Sequence, residues 1–73
     1  MADYSEQVRA QAARDGHALP DGSYPILNCQ DLHDAADAYG RAPESHRAQL
    51  RALIRKENAE RGCGVHLEKL EEP

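Results

Sequence analysis

Ala18-Leu19-Pro20-Asp21-Gly22-Ser23-Tyr24-Pro25-Ile26 is the stretch of this 73-residue chain that interrupts helix and decides how the rest must fold. Proline presets φ, aspartate bonds its own backbone and glycine accepts positive φ, so Pro20-Asp21-Gly22 specifies a turn. Pro25 keeps the chain beside it extended. The expected result is an ordered, non-helical strap, carried by Leu19, Pro20, Asp21, Gly22, Tyr24, Pro25 and Ile26, whose apolar members tuck against helices on either side.

Working outward, residues 3–14 are rich in Ala, Gln, Glu and Arg, with Tyr4, Val8 and Ala12 four apart and Gly16 at the stop. That spacing predicts a short helix with a thin apolar stripe. On the other side, Asn28 with Asp31 three residues later fits a helix N-cap, and Leu32, Ala35, Ala36 and Tyr39 recur at helical spacing before Gly40. The opposite side of this second helix carries Asp31, Asp34 and Asp37 as an acidic stripe. Pro43 and Glu44 suit the first turn of a third helix that Gly62 ends, with Leu50, Leu53 and Ile54 as its buried stripe and His46 and Glu57 at the stripe's ends. The fold class is therefore all-α: an N-terminal helix over residues 1–16, a strap plus helical hairpin over 17–62, and a tail over 63–73 that either packs or hangs free. The expected core is Leu19, Tyr24, Ile26, Leu32, Ala35, Tyr39, Leu50, Leu53 and Ile54.

Composition narrows the function. A chain of this size buries only about 60% of its unfolded surface, and this one has no Phe or Trp, so its core is small. The net charge of −4 argues against a surface that attracts nucleic acid or acidic membranes all over. Yet residues 41–61 hold six basic and three acidic side chains, so a local +3 is set against −7 elsewhere. No apolar run reaches the roughly 20 residues of a membrane span, and Met1-Ala2-Asp3-Tyr4-Ser5-Glu6 lacks the start of a signal peptide. The expected location is a host cytoplasm or a virion, with no membrane partner. There, Cys29 and Cys63 are expected to be free thiols.

The strap motif, followed by Asp31-Leu32, Ala35, Ala38-Tyr39-Gly40-Arg41-Ala42, His46-Arg47 and Leu50 through Arg55, resembles a short module of actinobacterial phages, prophages and their hosts. The resemblance covers roughly residues 17 to 62. It implies that strap and hairpin are one structural unit, found alone or attached to larger proteins, some of them phage head components. It carries over no catalytic residue and does not extend to the cysteines or the tail.

Three chemical constellations remain. Arg47, Arg51 and Arg55 lie four apart, with Arg41 and Lys56 nearby; this basic row can track phosphates or contact a partner, or it can pair internally with Asp31, Asp34 and Asp37. Cys29 and His33 lie four apart and Cys63 and His66 three apart, ligand types that suit tetrahedral zinc, although the finger spacing is absent. The plain alternative makes Cys29 a small buried residue and the two histidines surface groups, and no cofactor is expected. Ser23, Ser45, Cys29 and Cys63 are nucleophiles without a recognisable base and acid beside them, so no enzyme is expected. Ala48, Ala52 and Ala59 make a smooth helix side that is either a docking face or plain helix-forming alanine. The expected function is a non-catalytic phage or prophage protein-interaction module, a minor virion or assembly component, with a phage structural protein, a host protein or a second copy as partner. The alternative is a small nucleic-acid-binding or regulatory protein using the basic face of the third helix.

Overall fold

Three short-range signals set the helix ends in the computed structural model, which describes residues 4–66. Helix α1 spans Glu6–Arg14; Ser5 caps it, its Oγ accepting from the Val8 N–H at 3.2 Å. Helix α2 spans Cys29–Ala38 under an Asn28 cap whose Oδ1 accepts from the Asp31 N–H at 2.8 Å, and it tightens into a 3₁₀ turn over Tyr39–Arg41. Helix α3 spans Glu44–Arg61 and stops where Gly62, at φ +65°, takes the left-handed conformation that only glycine adopts without cost. Pro43 precedes α3 as its cap residue, one position outside the first turn. The elements are those of a small all-α domain. No helix among the described residues is long and apolar enough to cross a membrane.

The strap between α1 and α2 closes on itself before it closes on the hairpin. The Gly22 N–H donates to the Leu19 carbonyl at 2.8 Å, Leu19 N–H to Ser23 at 2.9 Å, and Ile26 N–H to His17 at 2.7 Å. Asp21 Oδ1 accepts from the Ser23 N–H at 3.0 Å, which is the self-bonding turn expected of aspartate. One expectation fails here. Tyr24, the residue before Pro25, is not extended but sits at φ +55°. Its ring meets His46 edge-on, with centroids 6.5 Å apart, so packing on the start of α3 holds a conformation that the local sequence disfavours.

The core lies along the α2–α3 seam with the strap across it. Leu19, Ile26, Leu32, Ala35, Tyr39, Leu50, Leu53 and Ile54 are all buried, as the apolar spacing predicts, while Tyr24 packs against the cluster only half-buried. Ala36, Ala42 and Val65 complete it. Val65 shows that the start of the tail packs; Leu67 and Leu70 lie outside the described residues.

Candidate functional site

Glu57 falls in phase with Leu50, Leu53 and Ile54 on α3, and the same phase that buries them buries its carboxylate completely. A buried charge is tolerated only with partners. Arg61, one turn on, donates Nε to Glu57 Oε1 at 2.8 Å, and His17 Nδ1 lies 2.9 Å from Oε2. An ionised carboxylate only accepts, so His17 Nδ1 carries the proton of that bond. The two terminal nitrogens of Arg61 continue to the strap, donating to the carbonyls of Leu27 at 3.1 Å and Ile26 at 3.0 Å. Lys56 adds an ammonium 3.6 Å from Oε2 and a hydrogen bond to the Gly16 carbonyl. One carboxylate thus fastens both ends of the strap to the end of α3.

Burial pushes the Glu57 carboxyl up, but hydrogen bonds from His17 and Arg61, reinforced by their charge, outweigh it and hold the group below its ordinary value near 4.5. A carboxyl depressed in the fold contributes stability above its unfolded value and loses it as pH falls through the folded one. The stability difference between wild type and Glu57→Gln is therefore expected to shrink as pH drops from 6 to below about 4. Urea unfolding across that range measures it; a gap that stays constant refutes the linkage.

Two smaller contacts hold the remaining edges. Asp31 is buried: its Oδ2 accepts from the Tyr4 hydroxyl at 2.7 Å and the Leu27 N–H at 3.1 Å. It is a joint between the residues leading into α1, the strap and α2, and not part of an exposed acidic stripe. The hydrogen bond to Asp31 raises the Tyr4 pKa. Asp21 reaches across to His46, Oδ2 to Nε2 at 3.1 Å, and the Ser23 backbone bond keeps the Asp21 carboxyl below its usual range.

The basic row is partly drawn into the fold. Arg47 lies over the Tyr39 ring at 5.8 Å and donates to the Gly40 and Ala42 carbonyls at 3.4 Å each. Lys56 faces Gly16 and Glu57. Arg41 and Arg55 are exposed and Arg51 half-exposed. Asp31 is engaged elsewhere, which removes one of the three aspartates expected to neutralise the row. The alanine side is exposed at Ala48, Ala52 and Ala59. A shallow groove runs between α1 and the strap, lined by Glu6, Arg9, Ala13, Pro20 and Ser23 among others.

The cysteines depart furthest from expectation. Cys29 and Cys63 form a disulfide, with Cα atoms 5.5 Å apart, so neither is a free thiol. Cys29 is exposed at the first position of α2, not buried; His33 and His66 are exposed. In this oxidised state the sulfurs offer no thiolate to a metal. A separate trio, His17, Glu57 and Glu60, places donor atoms within 4.8 Å of one another, but Arg61 and Lys56 already supply the positive charge there. Compared with protein-family models, curated proteins and solved structures, the chain matches none of them, so any functional reading rests on its own residues.

Proposed function

We propose that the chain is a non-catalytic protein-interaction module, a minor virion or assembly component of a phage or prophage. The observation that carries this reading is that His17, His46, Asp21, Asp31 and Glu57 are spent on contacts within the chain. His17 meets Glu57, His46 meets Asp21 and Tyr4 meets Asp31, each pair joining two parts of the chain. Much of what faces outward is helix surface. Helix α1 buries only Ala12, leaves its residues 6–11 exposed and presents Val8 at 39% exposure, the large apolar side chain most open to solvent among the described residues. The phage setting draws its support from the strap-and-hairpin pattern alone.

Photo-crosslinking residues placed at Val8 and Ala52 in the protein expressed during infection test the reading. The expected result is a crosslink to one discrete structural or host protein, lost when Val8 becomes Glu. Binding to duplex DNA that weakens steeply with salt, and that Arg51→Gln with Arg55→Gln removes, would instead establish the nucleic-acid reading.

A further inference from the structure

The fold joins Cys29 to Cys63, which the sequence keeps 34 residues apart, and a histidine follows each in the sequence, His33 four residues on and His66 three. We propose that these four residues form a redox-gated Zn²⁺ site, a disulfide when oxidised and a tetrahedral site of two thiolates and two imidazoles once reduced.

The chain around both sulfurs is held by contacts other than the disulfide itself. Cys29 opens α2 under the Asn28 cap, fixed by a bond that does not involve sulfur. Beyond Cys63, the Asn58 side chain grips Val65 on both backbone groups, accepting from its N–H at 3.0 Å and donating to its carbonyl at 3.3 Å. Val65 itself is 8% exposed within the core. Breaking the S–S bond leaves both anchors intact, so the thiols stay neighbours.

Cys29 and His33 are exposed and, at i and i+4 of one helix, share a face. Residue 29 also stands at the positive end of α2, which favours a thiolate. Two sulfurs on one zinc stand about 3.8 Å apart, given Zn–S bonds of about 2.3 Å at the tetrahedral angle, so the chain must open slightly. Gly62 and Gly64 flank Cys63 with no heavy atom within 4 Å of where a Cβ would stand, which leaves room for that movement. Two sulfurs and two imidazoles are a donor set suited to zinc.

The switch balances with a dithiol reductant. Its thiolate attacks the exposed Cys29 sulfur and expels Cys63 as a thiol; its second thiol then displaces Cys29, leaving with the two electrons' worth of oxidation as its own disulfide. Zn²⁺ then replaces two protons on the freed thiols.

The test uses the full chain, oxidised or reduced, titrated with Co²⁺ and then Zn²⁺. Reduced protein is expected to bind one Co²⁺ with thiolate-to-cobalt charge-transfer and tetrahedral d–d bands, which Zn²⁺ abolishes; oxidised protein should show neither. His33→Asn, at an exposed position, should weaken binding by more than about tenfold, and Cys63→Ser should remove the two-thiolate signature. Zn²⁺ should raise the melting temperature of the reduced protein only. Reduced protein that stays helical yet gives no charge-transfer band overturns the proposal, as does His33→Asn binding undiminished. Loss of helical circular dichroism on reduction alone overturns it too, because the anchors then fail to hold the sulfurs together.

Discussion

Glu57→Ala should lower the unfolding free energy by about 3 to 5 kcal/mol, the cost of breaking a buried charge cluster by removing one partner. The carboxylate is fully buried, whereas Arg61 and His17 are 26% and 32% exposed, so the polar groups left behind regain some hydration and the lower end is expected. A domain of this length has about 4 to 11 kcal/mol in total, and most of a modest margin disappears with one side chain. Glu57→Gln keeps the shape and part of the hydrogen bonding and should cost less. Arg61→Ala should also destabilise, since it takes one hydrogen bond from the buried carboxylate and frees the carbonyls of Ile26 and Leu27 together. Urea unfolding of the three variants decides the matter; a loss under about 1 kcal/mol for Glu57→Ala would reduce the cluster to an ordinary surface ion pair.

The reach of that one carboxylate explains why the strap is ordered without being helical. Its own turn bonds shape it, but contacts at three points hold it to the hairpin: His17 and the Ile26 and Leu27 carbonyls at the end of α3, Asp21 and Tyr24 against His46 at its start, and Leu27 N–H on Asp31. The strap therefore spans the whole length of α3.

Local signals made much of this legible. The Asn28 cap, the apolar repeat from Leu32 to Tyr39 and the Leu50, Leu53, Ile54 stripe are all short-range patterns, and each element they define is present. Glu57 was half legible: its place in phase with the stripe was visible, but a charge at such a position reads as the end of the stripe until partners are known. One partner, His17, comes from 40 residues away, while Arg61 at i+4 and the adjacent Lys56 left a local trace. Asp31 misled in the same way, since an aspartate at the third helical position caps equally well whether its face is open or covered by Tyr4. The disulfide was beyond local reading, because it depends on α3 being longer than α2, so that the returning chain overshoots and turns back to the start of α2 at Cys29. Tyr24 shows packing overriding propensity: proline disfavours what the His46 contact retains.

Leu50→Ala should cost about 2 to 5 kcal/mol, with the upper half of that range expected. Leu50 is fully buried at the middle of the seam, where α2, the strap and α3 converge on a core without a single Phe or Trp. The cluster it belongs to counts Ala35, Ala36 and Ala42 among its members, side chains too short to reach into the space left behind. The cavity would stay open, and the variant would lose the contacts as well as the transfer energy. For a domain of this size about 1 kcal/mol moves the midpoint by roughly 4 to 8 °C, so the variant should melt more than about 10 °C lower than wild type. Leu50→Met, which keeps the volume, should lose less than about 1.5 kcal/mol. Ala52→Leu, on the exposed side two residues along, should change stability by no more than about 0.5 kcal/mol. Were Ala52→Leu to destabilise as much as Leu50→Ala, the faces assigned to α3 would be reversed and the seam would have to lie along the alanine side.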